Sequence, residues 1–289
     1  MNVRAILLGL VFVIIWSSAF TSARIIVLYS SPLAALSIRF LISGLIGVLI
    51  ALFLGQNFKL TKSQWRATLI FGLCQNALYL GLNFVAMQSI EASLAAIIAS
   101  TMPLMVAFAG WLFVSERLSS SGIVGLVLGF SGVTLIMWGR LNQGVDIFGL
   151  VLCVIGALAL TVATLSLKDA SSGGNIMMIV GLQMLIGSAV LALFCLFFEN
   201  IHFSVNRSFV LAFAYTTVFP GLVATVVWFK LVNLIGAVKA ATFHFLNPFF
   251  GVVIAWLFLS ESISYMDGIG VVVITVGIYL VQISKRRIY

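Results

Sequence analysis

Charge is what this chain has least of. Only 8% of its 289 residues are Asp, Glu, Lys or Arg and 63% are hydrophobic, whereas soluble domains are about a quarter charged and about half apolar. That balance excludes a soluble fold. Acids are the scarcest: Glu91, Glu116, Asp146, Asp169, Glu199, Glu261 and Asp267 are all seven, and each falls at or near the end of an apolar run. No carboxylate is therefore expected at mid-membrane to relay protons or hold Na⁺. Nothing resembles a phosphate-binding Walker loop, and no cofactor and no metal are expected. The three cysteines, Cys74, Cys153 and Cys195, are odd in number and lie inside apolar segments, which argues against a disulfide framework and for inert packing. Of two histidines, only His244 sits within a predicted span.

Long apolar runs are what the chain has instead. A spanning helix needs about 20 mainly apolar residues, and such segments run near 5–28, 34–55, 67–87, 92–114, 121–139, 147–167, 175–198, 208–230, 237–259 and 266–284. The connections are short and carry turn signals such as Ser31-Pro32 and Ser171-Ser172-Gly173-Gly174, leaving no loop able to fold separately. Arg4 and the apolar run after it imitate a secretory signal, but the run continues through Leu28 and reads as the first transmembrane helix.

The net charge of +8 would suggest nucleic acid in a soluble chain. Here the cations sit at helix ends, and cytoplasmic loops collect Lys and Arg, so no nucleic-acid partner is expected. With the N-terminus inside, Arg4, Lys59, Lys62, Arg66, Arg117, Lys168, Lys230, Lys239, Lys285, Arg286 and Arg287 fall on the cytoplasmic side. Arg24, Arg39, Arg140 and Arg207 fall outside or near the outer interface, and both termini are predicted cytoplasmic.

The chain also repeats itself. A shift of 145 residues places Pro103 on Pro248, Trp111-Leu112-Phe113 on Trp256-Leu257-Phe258, Glu116 on Glu261, Gly125 on Gly270 and Gly132 on Gly277. The unit is five helices used twice. Because five is odd, the second copy is reversed across the membrane. The expected fold is all-α and integral to the membrane: ten transmembrane helices as two inverted five-helix repeats, residues 1–140 and 141–289. Such halves can rock between two packings around a midplane site, giving alternating access.

The repeated residues resemble a family pattern, that of the EamA-type bacterial branch of the drug/metabolite transporter superfamily. The resemblance covers essentially the whole chain. It is carried by Trp16-Ser17-Ser18-Ala19-Phe20 in the first helix and Pro32 and Arg39 in the second. The doubled series Pro103, Glu116, Gly125, Gly132 and Pro248, Glu261, Gly270, Gly277 is more specific. The resemblance implies a ten-helix exporter or permease of the bacterial inner membrane, similar to proteins that move amino acids, aromatic ones included, and related metabolites. Arg24 departs from the pattern, since many members have Lys at the end of the first helix.

Polar side chains within the spans should face the bundle interior or a wet cavity. Gln75, Asn76, Tyr79 and Asn83 fall within an arc of about 100° on an ideal helix, and this face is expected to line the cavity. His244 and Asn247 share a stripe with Ala240, Ala241, Pro248 and Gly251 that is expected to oppose the third helix. A cargo lacks two-fold symmetry, so residues that break the repeat are the better binding candidates. Asn76, Tyr79 and Asn83 align with Gly221, Ala224 and Trp228, and His244 and Asn247 with Ala99 and Met102. Trp16, Ser17, Thr101, Thr161, Thr164, Thr217 and Trp228 are further candidates for stacking or hydroxyl contacts. Ser and Thr also bond their own helix carbonyls, however, and Trp packs at interfaces. Pro103, Pro220 and Pro248 are expected to kink helices or act as hinges. The partner expected is a small-molecule substrate with no fixed mid-membrane charge opposite it, as zwitterionic amino acids would be. Nucleosides and amines are alternative cargoes, an ion channel an alternative mechanism. An intramembrane enzyme is disfavoured because no nucleophile motif accompanies His244.

Overall fold

Lipid offers the backbone no hydrogen bonds, so apolar segments satisfy N–H and C=O within helices. The computed structural model describes residues 3–113, 119–141, 144–166, 175–235, 240 and 242–283. Glu116, Arg117, Lys168, Asp169, Lys239, Lys285, Arg286 and Arg287, named above, lie outside them. The helices are α1 (Val3–Val27), α2 (Pro32–Phe53), α3 (Lys62–Ala86), α4 (Ala92–Ala99), α5 (Met102–Phe113), α6 (Ser120–Leu141), α7 (Ile147–Ser166), α8 (Ile176–Phe198), α9 (Arg207–Ile235), α10 (Asn247–Leu259) and α11 (Tyr265–Ile283). Six of them, α1, α2, α3, α7, α8 and α9, are long and apolar enough to cross a membrane. The chain is thus a multi-pass, all-α membrane protein. Among the described residues the only extended pairing is an isolated bridge between Ser30 and Phe203.

Two expected spans are interrupted. The stretch 92–114 breaks between α4 and α5, and 237–259 contains a 3₁₀ turn, Thr242–Leu246, before α10. The reason is local. Ser100 and Thr101 turn their hydroxyls back onto the carbonyls of Ile97 and Ile98, and Pro103 and Pro248 lack the N–H that would bond four residues back. Each proline is the second residue of the helix it opens, not a mid-helix kink. The other two long polar-bearing helices loosen instead. α3 and α9 pass through π-helical turns at Gly72–Leu80 and Thr217–Val223, the second containing Pro220.

Helix starts are capped locally and at long range. Thr61 and Gln64 form a reciprocal capping box at α3, and Asn206 Oδ1 accepts from Phe209 N at α9. At α2 the cap comes from far along the chain: Glu199, just past the end of α8, accepts from Leu33 N and Ala34 N at 2.8 and 3.0 Å. Gln56, just past the end of α2, accepts from Met178 N at the start of α8 at 3.0 Å. Glu261 caps α4 in the same manner through Ala92 N and Ser93 N.

The closest helix pairs are α2 with α8 and α6 with α11, and both meet at glycines. A Cβ on Gly181 would lie 2.7 Å from Val48 N, and one on Gly277 would lie 2.4 Å from Gly129 N. Backbones approach closely where small residues allow it. Gly125, Gly129, Gly132, Gly270 and Gly277 therefore serve packing within the chain.

Candidate functional site

Two small cavities adjoin at Trp16. One, of ≈ 30 Å³, is lined by Trp16, Ala19, Phe20 and Ala23 of α1, Arg39 of α2, Tyr79, Leu80, Asn83 and Phe84 of α3, then Met87 and Pro220. The other, of ≈ 10 Å³, is lined by Phe12, Trp16, Phe71, Gln75, Leu160, Thr225, Trp228 and His244. A larger hollow of ≈ 830 Å³ lies open along α6, lined by Phe108, Ile123, Leu126, Val127, Phe130 and Trp138 among others. Its apolar walls suit lipid chains better than a polar ligand.

An aromatic box surrounds His244. Its ring lies edge-on to Phe12, Trp16 and Trp228, with centroids 5.2, 5.9 and 5.2 Å away. Phe12 in turn stacks on Trp228 at 4.8 Å, and the Trp16 and Tyr79 rings lie parallel, 6.3 Å apart. A hydrogen-bonded chain enters this box. Ser17 Oγ donates to Asn247 Oδ1 at 3.0 Å, and the Asn247 amide lies 2.7 Å from His244 Nδ1. With its oxygen accepting from Ser17, Asn247 turns its NH₂ toward the ring, so Nδ1 accepts and the neutral imidazole carries its proton on Nε2. The 3₁₀ turn explains why His244 and Asn247 meet, since residues three apart eclipse in that geometry.

The π-helical turn redistributes the polar face of α3. A 100° step per residue does not hold where bonds run i to i+5. Gln75 and Tyr79 line the cavities, but Asn76 points at α8, where its amide donates to the carbonyl of Gln183 at 2.9 Å and to its side chain at 3.2 Å. Asn83 borders the larger cavity while donating to the Tyr79 carbonyl and accepting from Cys153 Sγ at 3.4 Å. The stripe of Ala240, His244, Asn247 and Gly251 packs mainly on α1 and α4, where a Cβ on Gly251 would lie 2.5 Å from that of Ala96, while His244 shares the smaller cavity with Phe71 and Gln75 of α3. Thr101 and Thr161 bond their own helix carbonyls, as does Thr217, whose carbonyl accepts from Ser43. Thr164 Oγ1, Tyr79 Oη and Trp16 Nε1 are buried without a hydrogen bond of ordinary geometry.

Arg39 corrects the sequence reading most. Placed above near the outer interface, it is 3% exposed and lines the larger cavity. Its guanidinium lies over Phe40 at 4.5 Å and 5.7 Å from the Phe84 centroid, and its Nε has no partner. A fixed charge therefore does stand inside the bundle. The signal was present in the sequence: Arg39 is seven residues into an apolar helix, about 10 Å from its start at 1.5 Å per residue. Phe12 was also missed, with nothing to distinguish it from other apolar-helix residues, and so was Gln183, although a mid-span amide is the same signal that singled out Gln75 and Asn76. Among the described residues, no group of three His, Cys, Asp or Glu side chains is placed to hold a metal.

The sequence pattern of the EamA-like transporter family matches residues 3–138 and, a second time, residues 147–283. The chain is 28% identical over 286 residues to the uncharacterized transporter YvbV of Bacillus subtilis, covering 98% of this chain and 93% of that one. It is 25% identical to the uncharacterized inner membrane transporter YedA of Escherichia coli, over 94% of this chain and 88% of that protein. A crystal structure at 18% identity superposes with a TM-score of 0.70 over 97% of this chain and 96% of the other, a likeness of fold.

Proposed function

From the premise that the chain belongs to the EamA-like transporter family, and is thus a membrane transporter, we propose that it exports small polar metabolites, amino acids foremost and aromatic ones among them. The site would be the paired cavities at Trp16. The observation that carries this reading is the joining of groups from both matched regions. Phe12, Trp16, Ser17 and Tyr79 come from the first, and Trp228, His244 and Asn247 from the second. Rings offer stacking surface, and amide, hydroxyl and imidazole groups offer hydrogen bonds, as pockets for amphipathic solutes do. Cavities of ≈ 30 and ≈ 10 Å³ hold little more than a water. A carrier occluded without cargo fits this better than an open channel.

Under the same proposal the halves 1–140 and 141–289 are inverted copies that rock about the site. The exchange of caps between α2 and α8, the π-helical turns starting at Gly72 and Thr217, and the helix restarts at Met102 and Asn247 support it. Each pair of these starts is 145 residues apart, the register of the sequence repeat. Each long-range cap also joins ends that the inside-N-terminus topology puts on one side. An inner-membrane location with both termini cytoplasmic belongs to this reading, and the YedA relative is described as an inner membrane protein.

Uptake by proteoliposomes of a panel of labelled amino acids, with and without a pH gradient, tests it alongside His244→Ala and Asn76→Ala. Saturable flux that His244→Ala lowers at least ten-fold is expected. No flux of any amino acid would end that assignment and turn the search to nucleosides and amines. Steady conductance without saturable flux would show a channel.

A further inference from the structure

We propose that Arg39 is an anion-binding group, and that the larger cavity takes the carboxylate of a monoanionic or zwitterionic cargo between Arg39, Tyr79 and Trp16. The proposal rests on the transporter reading for why the cavity opens, while its chemistry stands on the side chains themselves.

A guanidinium carries its charge at neutral pH and has five N–H donors. Burying one unpaired is costly, and proteins ordinarily meet that cost with a carboxylate partner. Four of the described carboxylates are hydrogen-bonded elsewhere, and none of the described ones lines this cavity. Glu199 and Glu261 cap α2 and α4, Asp146 accepts from Ser89, and Asp267 accepts from Ser264 N. Arg39 is held by ring contacts with Phe40 and Phe84 instead, which attract the cation but leave Nε with no hydrogen-bond partner.

Two more donors around the same void lack a well-placed acceptor. Trp16 Nε1 and Tyr79 Oη are both buried and, although they interact with each other, neither has a hydrogen bond of ordinary geometry; Trp16, Arg39 and Tyr79 all line the cavity. An indole N–H can only donate, a guanidinium can only donate, and a phenol can donate. Donors without a well-placed acceptor on one cavity are complementary to an acceptor-rich anion. Stoichiometry of charge selects its class. Among the described residues Arg39 is the only charged one lining the cavity, so one negative charge is neutralised, whereas a phosphate dianion would leave excess charge buried. The planar guanidinium also matches a carboxylate with two parallel hydrogen bonds.

The test is ligand-induced thermal stabilisation of the purified full chain. Lactate, L-leucine, L-threonine and L-phenylalanine are each compared with the matching amide, beside flux in proteoliposomes. At least one acid is expected to raise the apparent Tm saturably where its amide does not. Arg39→Gln should abolish that response, and Arg39→Lys should weaken it about 10- to 100-fold through loss of the fork. Tyr79→Phe, which keeps the ring and should fold normally, should weaken it about ten-fold. Equal stabilisation by acids and amides, no response to any acid, or an undiminished response in folded Arg39→Gln would overturn the proposal. Saturable flux of solutes lacking a carboxylate, unchanged in Arg39→Gln, would overturn the anion site and leave transport standing. Carboxylate stabilisation that Arg39→Gln removes, without flux of any solute, would support the site and remove the transport reading.

Discussion

Ser37 and Ser188 hydrogen-bond to each other's backbone: Ser37 Oγ donates to the Ser188 carbonyl at 3.0 Å and Ser188 Oγ to the Ser37 carbonyl at 2.8 Å. Further along the same α2–α8 seam Gly44 meets Gly181, and a Cβ on either would lie 3.0 Å from the other's carbonyl oxygen. Ser37 precedes Gly181 by the same 144 residues by which Gly44 precedes Ser188, so one contact maps onto the other when the two helices exchange places.

The serine pair should couple. Interhelical side-chain hydrogen bonds in membranes contribute about 0.6 to 2 kcal/mol. Ser37→Ala and Ser188→Ala are each expected to cost that much. The double variant should cost less than their sum, read as unfolding free energies in a double-mutant cycle.

Gly277→Leu should be the more damaging change. Its side chain would enter the α6–α11 seam at Gly129 N and the Gly125 carbonyl, where neither backbone can yield. A loss of about 1–3 kcal/mol or more is expected from overpacking, read as a lower apparent Tm and reduced folded yield. Gly268→Leu, at a position open around its Cβ, should leave both nearly unchanged.

Glu199→Ala should loosen the start of α2. It removes the acceptor for Leu33 N and Ala34 N, and lost N-terminal caps cost about 0.5–2 kcal/mol. Faster amide exchange at the first turn of α2, with α8 unchanged, is the expected signature. Equal exchange in variant and wild type would show that Glu199 does not hold this turn.

Asn247→Leu should separate transport from folding. It keeps the apolar packing of α10 but cuts the link from Ser17 to His244. Saturable flux is expected to fall at least ten-fold, with Tm reduced by no more than the loss of about 1–3 kcal/mol for buried groups left unpaired. Wild-type flux in a folded Asn247→Leu protein would take the link out of the mechanism.

Asp146 sits before α7, outside the spans. The hydrogen bond from Ser89, reinforced by Gly149 N, lowers its pKa below the ordinary 3.8. A carboxylate whose folded-state pKa is depressed adds stability above its unfolded value and loses it as pH falls through the folded one. Asp146→Asn should therefore bring the apparent Tm closest to wild type below pH 3.8 and separate the two above it. Parallel Tm–pH curves would contradict this.

Much of this architecture was legible before any coordinates. Composition determined the membrane, the 145-residue register picked out Gly125, Gly132, Gly270 and Gly277, which meet in the α6–α11 seam, and repeat-breaking pointed to Tyr79, His244 and Asn247, which lie at or beside the cavities. Such features depend on counts and spacings, which a linear chain displays. Three others are not displayed by counts and spacings. Asn76 turns to Gln183 because a π-helical turn, unmarked by any local signal, shifts the face of α3. The span at 92–114 breaks because Ser100, Thr101 and Pro103 act together on one turn. Arg39 is a buried cation with no described acid on its cavity because α1, α2 and α3 close around it. Hydrophobic periodicity determines which segments enter the bilayer. Which polar atoms are left without partners inside it is decided by packing alone.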